Sequence, residues 1–313
     1  MSNGFLCEHI TKDVVSYRIA DIGFSLEPGT VLGVVGLNGV GKTTLLRVLA
    51  GSYRVTDKET DGGDCWLDGY HFAKDVREYR NRIAFVMQDS PFRLDMTAEQ
   101  IGEVFGAYYD SYDSKGYLAR LAEYGVPKRR QLAKMSKGQQ LRVQLAFAES
   151  HEASLYVMDE PMGYFDPEFR EVFYEKIRAI AATEKASVIL SSHLVTELET
   201  VADRLLWMRR SESGGTRTDG SRGSEEGTVW FFGSIDELRE KYRMMSAEAE
   251  EIEALPKELV VGKRIRKNHC EALLRKPADG AGFPQEIDGK CRYADLQEIM
   301  YYTEKAEKEG EEG

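Results

Sequence analysis

The chain has few cysteines: Cys7, Cys65, Cys270 and Cys291 are scattered over 313 residues, with no Cys-x-x-Cys pair and no histidine at zinc-ligand spacing. That excludes a disulfide-stapled scaffold and a zinc ribbon, and predicts packing thiols in a reducing compartment. Long apolar runs are missing too. Val31–Val35 and Leu155–Met158 are among the longest, far short of the roughly 18 apolar residues that span a bilayer. Positive charge is in deficit: 42 Lys and Arg against 53 Asp and Glu give a formal net charge of −11. Nucleic-acid binders carry a basic surplus or stripe, so no nucleic-acid partner is expected. Met1 to Lys12 carries Asn3, Glu8 and His9 where a signal peptide needs an unbroken apolar core, so the expected location is inside the cell.

What is present is an ordinary globular composition, 42% hydrophobic and 30% charged, with length enough for two domains at roughly 150 residues each. Residues 1–232 read as alternating strands and helices, which predicts an α/β architecture with a mostly parallel sheet. The strand candidates are Val31–Val35, Ile83–Met87, Leu155–Met158, Val188–Leu190 and Leu205–Met208. Helical patterns fall at Thr43–Ala50, Ala98–Tyr109, Gln139–Ser150, Glu168–Ala182 and Val195–Ala202, and residues from about 89 to 150 read as a helical insertion. Arg209–Gly227 is a Gly/Ser-rich polar tract between apolar runs and reads as the flexible loop of a β-hairpin. Residues 233–313 form a separate extension. Two acidic helices (Ile235–Tyr242 and Ala247–Ala254), a strand-like section and a helix over Asp295–Lys308 are expected there, with Leu296, Ile299 and Met300 on a docking face.

Three segments carry chemistry. Gly36-Leu37-Asn38-Gly39-Val40-Gly41-Lys42-Thr43 fits G-x-x-x-x-G-K-[ST] between an apolar strand and a helix, as a phosphate-binding loop requires. The amides of Asn38, Gly39, Val40 and Gly41 and the helix start at Lys42–Thr44 would cradle phosphates. Lys42 would add a point charge, and Thr43 a hydroxyl ligand for Mg²⁺. Leu155–Met158 ends in Asp159-Glu160, at the strand end where open α/β sheets bind ligands. Asp159 is placed to hold Mg²⁺ through its water shell, and Glu160 to take a proton from an attacking water. Met135-Ser136-Lys137-Gly138-Gln139 opens a helix, and Ser136 with Gln139 also fits a capping box.

In this order the segments resemble the ATP-binding cassette (ABC) ATPases, whose signature reads Leu-Ser-Gly-Gly-Gln where this chain has Met135–Gln139, differing at the first and third positions. The resemblance covers residues 1–242 in motif order. It implies a P-loop fold with a RecA-like core and a helical subdomain, followed here by a small α+β extension. It implies Mg²⁺ and ATP, with Ser136, Gly138 and Gln139 facing nucleotide held by a second subunit. Gln88 falls at the family's Mg²⁺-contacting glutamine, Phe165-Asp166-Pro167 at its dimer-facing loop, and Ser192-His193 at its γ-phosphate histidine. Met162-Gly163-Tyr164 departs from the usual Thr-Ser-Gly. Tyr17 is the aromatic candidate for adenine stacking, with a half-buried strand tyrosine as the equal alternative.

The family reading implies an ATPase subunit, homodimeric or paired with a related subunit, that drives a separate integral membrane permease from the inner face of the cell membrane. The signature variant and the C-terminal segments are similar to bacterial exporter-type ATPase subunits. The alternative is a soluble ATPase of the same type acting on a ribosome or nucleic-acid complex.

Overall fold

The computed structural model describes residues 4–14, 17–53, 62–211, 226–266, 269–277 and 282–311. The chain divides into two compact units, residues 1–232 and 233–313.

In chain order the first unit contains β1 (Phe5–Asp13), β2 (Arg18–Leu26), β3 (Val31–Val35), α1 (Lys42–Leu49), β4 (Gly62–Leu67), β5 (Tyr70–His71), α2 (Val76–Asn81) and β6 (Ile83–Val86). Three helices follow, α3 (Ala98–Phe105), α4 (Ser114–Glu123) and α5 (Lys137–Ala148). The unit then alternates again through β7 (Leu155–Asp159), α6 (Pro167–Ala182), β8 (Ser187–Ser191), α7 (Val195–Val201), β9 (Arg204–Ser211) and β10 (Glu226–Ser234).

All ten strands form one sheet in the order β5-β4-β1-β2-β10-β9-β3-β8-β7-β6. From β9 to β6 each neighbouring pair is parallel. Every residue of β3, β7 and β8 is buried, which is why these strands read as unbroken apolar runs. Helix α1 buries Leu45, Leu46, Val48 and Leu49 completely, each worth about 1.5–3 kcal/mol relative to exposure. A rigid seat for the phosphate loop follows from that packing.

The expectation of a mostly parallel sheet holds from β9 to β6, and β10 also pairs parallel with β2, while the strands toward the far edge depart from it. Strands β1, β2, β4 and β5 pair antiparallel. The β1–β2 register shifts on both sides of Ile10, and His9 and Asp21 take left-handed backbone angles, φ 53° and 52°. Such bulges reset the two-residue alternation that marks a strand in sequence. β9 and β10 are neighbours in the sheet, and the tract joining them, 212–225, lies outside the described residues. All four cysteines are free thiols.

The second unit contains α8 (Ile235–Glu240), β11 (Tyr242–Glu248), α9 (Ala249–Glu253), β12 (Val260–Arg266), β13 (His269–Arg275), α10 (Gln285–Asp288), β14 (Cys291–Tyr293) and α11 (Leu296–Glu311). Its sheet order is β12-β13-β11-β14. Ser234 and Glu237 form a reciprocal capping box that starts α8, and this helix stops at Glu240, so the expected helix over 235–242 gives way to a strand from Tyr242. Helix α11 packs on β12 and β13. Among its described residues Leu296 and Ile299 are buried as anticipated, Met300 is only half-buried, and Tyr302 and Thr303 are buried as well.

Candidate functional site

Because β3, β8, β7 and β6 are adjacent and parallel, their carboxyl ends share one edge of the sheet. The segments that follow them carry the phosphate loop, His193, Glu160 and Gln88.

The loop after β3 turns through glycines with positive φ, Gly36 at 146°, Gly39 at 81° and Gly41 at 106°. A Cβ at Gly36 would stand 2.4 Å from the Met208 carbonyl oxygen, and one at Gly41 2.3 Å from Ile19 Cγ2. The loop therefore closes on β9 and β2 only with glycine at both places. Gly41 is the N-cap of α1, and no side chain caps this helix, so its amides and positive dipole end are presented to an anion. Lys42, 6% exposed, donates Nζ to the carbonyls of Gly36 at 2.8 Å and Leu37 at 3.2 Å. Val40 is buried. The Asn38 carbonyl accepts from Arg210 Nη2 at 3.2 Å.

The acidic end of β7 is joined to this loop. Asp159, 2% exposed, accepts from Thr43 Oγ1 and from Ser191 Oγ, each at 2.8 Å. Ser191 Oγ in turn accepts the Glu160 amide at 3.0 Å. Glu160 sits in the left-handed region, φ 46° and ψ 46°, a costly conformation for a non-glycine residue that the surrounding contacts must hold. His193 Nδ1 stands 3.3 Å from Glu160 Oε2. Thr43, Asp159, Ser191, Glu160 and His193 thus form one continuous polar line. Thr43 and Asp159 are oxygen donors, the chemistry that suits Mg²⁺.

Ser136 caps α5, with its Oγ accepting the Gln139 amide at 3.2 Å and its own amide donating to Gln139 Oε1 at 3.3 Å. The capping box anticipated for this segment is thus formed at the start of α5. A Cβ at Gly138 would stand 2.5 Å from the Tyr164 carbonyl oxygen. Neither Ser136 nor Gln139 hydrogen-bonds to the Thr43–His193 line among the described residues. Gln88 donates Nε2 to the Tyr164 hydroxyl at 3.1 Å and is not hydrogen-bonded to Thr43 or Asp159. Tyr17 joins Thr44 through their hydroxyls, and its ring edge lies 3.3 Å from where a Cβ on Gly41 would be. Asp166 caps α6 by accepting the Phe169 amide and pairs with Arg142. The Phe169 amide, with Arg142 beside it, holds the Asp166 carboxyl below its ordinary range.

Sequence reasoning named Ser192 and passed over Ser191. Ser192 Oγ turns instead to Glu197 Oε2 at 3.2 Å, supporting the start of α7. Replacing Ser191 with Ala should strip one donor from a buried carboxylate and leave the Glu160 amide without its acceptor. The expected loss is about 1–3 kcal/mol in urea unfolding, by the usual cost of orphaning a buried polar group. A smaller loss than 0.5 kcal/mol, on the scale of an idle surface change, would mean that Ser191 does not brace the pair. Gln144 was also missed. It is buried, accepts the Met87 amide at 2.9 Å and donates to the Met87 carbonyl at 3.0 Å, clamping the backbone beside Gln88 onto α5. A glutamine among Leu141, Leu145 and Ala148 on α5 was its one visible sign.

The family model described as ABC transporter matches residues 19–163. The ABC transporter ATP-binding protein NatA of Bacillus subtilis (strain 168) is 28% identical over 207 residues, covering 64% of this chain and 82% of the relative. The Nod factor export ATP-binding protein I of Burkholderia orbicola (strain AU 1054) is 30% identical over 189 residues, with 59% of this chain matched to 60% of the relative. Among solved structures, an ATP-binding subunit of an ABC transporter superposes with a TM-score of 0.62 at 21% identity, covering 76% of this chain and 92% of that one. A dimeric ATP-binding cassette in a post-hydrolysis state with ADP and Pi gives 0.59 at 17% identity, over 74% and 98%. At these identities the structural likeness concerns the fold.

Proposed function

Since the chain belongs to the ATP-binding cassette ATPases, with residues 19–163 as the matched core, we propose that it is the nucleotide-hydrolysing subunit of a transporter whose membrane-spanning part is a separate chain. The observation that carries this reading is the line from Thr43 through Asp159, Ser191 and Glu160 to His193, set beside the phosphate loop. The relatives named above, one of them an export ATP-binding protein, support an exporter-type partner. No helix among the described residues is long and apolar enough to cross a membrane.

In the proposed mechanism Lys42 and the uncapped start of α1 hold the β- and γ-phosphates. Thr43 and Gln88 would supply oxygen ligands to Mg²⁺, and Asp159 would hold it through its water shell. When bound, that ion offsets charge on the phosphate oxygens. Glu160 takes a proton from the water that attacks the γ-phosphorus as the bond to the β-phosphate oxygen breaks, releasing ADP and phosphate. His193 steadies Glu160 through Nδ1 and keeps Nε2 for the γ-phosphate. Ser136, Gly138 and Gln139, unlinked to this line within one chain, serve nucleotide held by a second subunit, and closure of the pair does work on the permease.

Detergent extraction of native membranes followed by affinity purification of the tagged chain tests the partner. Stoichiometric recovery of an integral membrane protein is expected. Recovery only with ribosomes or nucleic acid would replace the permease with a macromolecular assembly.

A further inference from the structure

Residues 162–164 depart from the family pattern, and the structure gives that departure a place. Pro161–Tyr164 form a short 3-10 turn after Glu160. The Tyr164 backbone is held against α5, where its carbonyl oxygen occupies the space a Cβ on Gly138 would need. Its phenol hydroxyl accepts from Gln88 Nε2 at 3.1 Å. The backbone beside Gln88 is fixed from the other side, because Gln144 binds both the amide and the carbonyl of Met87. The freedom left to Gln88 is therefore that of its own side chain.

A carboxamide has two chemically opposite ends of nearly the same shape, an oxygen that accepts and an NH₂ that only donates. Mg²⁺ takes oxygen ligands, so Gln88 can serve the ion only with Oε1 presented. The phenol oxygen engages Nε2, and Oε1 is the end left over. We infer that Tyr164 is a positioning residue that sets the amide of Gln88 with its oxygen available to Mg²⁺. The inference rests on the proposed nucleotide site and adds to it a residue at a position where the family's usual glycine has no side chain to act. The phenol does this without touching metal or nucleotide, as partners that orient metal ligands generally do. Tyr164 itself is 45% exposed, so removing its hydroxyl removes the hydrogen bond without opening a core cavity.

The test is an equilibrium titration of Mg²⁺ on the full chain with a fluorescent, non-hydrolysable ATP analogue, run on wild type, Tyr164→Phe, Gln88→Ala and the double variant. Tyr164→Phe is expected to raise the Mg²⁺ concentration for half-maximal analogue binding about 10-fold, the low end of the loss when the group orienting a metal ligand is removed. Binding of the analogue in EDTA should stay within twofold, by contrast. Gln88→Ala should raise the Mg²⁺ requirement at least as much, and the double variant no further than Gln88→Ala alone, because the two act as one unit. An unchanged Mg²⁺ requirement in Tyr164→Phe beside a raised one in Gln88→Ala overturns the role of Tyr164 and leaves the nucleotide site intact. A lowered requirement in Tyr164→Phe also overturns it, since the phenol would then hold Gln88 away from the ion. No analogue binding by wild type, with or without Mg²⁺, would defeat the nucleotide reading itself.

Discussion

Glu160→Gln should abolish most phosphate release while leaving ATP affinity within about twofold. Glutamine keeps the size and the hydrogen-bonding length of glutamate, so Ser191 still receives the amide of residue 160 and His193 still has a polar partner at Oε2 or its replacement. What disappears is the capacity to take a proton. A positioned general base contributes roughly 10²- to 10⁴-fold, and turnover should fall by that factor. Binding should survive because the groups assigned to the phosphates, Lys42 and the amides at the start of α1, are untouched. Steady-state phosphate release and equilibrium binding of labelled ATP separate the two effects. Turnover near that of wild type would remove Glu160 from the role of base.

Lys42→Ala should act on the opposite side of that division, by weakening ATP binding. The ammonium is almost fully buried and is tied to the Gly36 and Leu37 carbonyls, so it braces the loop as well as charging it. A hydrogen bond to a charged group contributes about 1.5–3 kcal/mol, which converts to roughly 10- to 150-fold in affinity. Isothermal titration with ATP reads this directly. Thermal unfolding of the same sample separates a weakened loop from a lost fold, because α1 keeps its four buried apolar side chains. Unchanged ATP affinity in a folded Lys42→Ala protein would contradict the assignment of the loop.

The parts of this site that were legible in the sequence share one physical cause. Strands β3, β7 and β8 are buried throughout, so each appears as an apolar run whose end is marked by Gly36, Asp159 or His193. Parallel neighbours bring such ends to one edge, which is why Thr43, Asp159, Glu160 and His193, far apart in sequence, fall on one polar line. The antiparallel half was hidden by local geometry: the bulges around His9 and Asp21 interrupt the alternation of β1 and β2. In the second unit the capping box at Ser234 made α8 readable, while β11 was masked by helix-like residues on both sides.

Long-range polar contacts were the least visible. Ser191 is an unremarked serine at the end of a strand, and only the meeting of β7 with β8 turns it into a brace for Asp159 and Glu160. Tyr164 is separated from Gln88 by 76 positions. Its departure from the family pattern signalled change without direction, and the direction came from the hydroxyl's partner. Gln144 differs in that a polar side chain on an apolar helix face is itself a signal, since a buried amide needs hydrogen-bond partners.

The central claim is that a nucleotide site built on this line is completed by the signature helix of a second chain. Sedimentation equilibrium of the purified Glu160→Gln protein, with and without Mg²⁺ and ATP, tests it most directly. The account predicts a monomer without nucleotide and a particle of twice the mass with ATP, holding one nucleotide per chain. A monomer that persists at saturating ATP would contradict it.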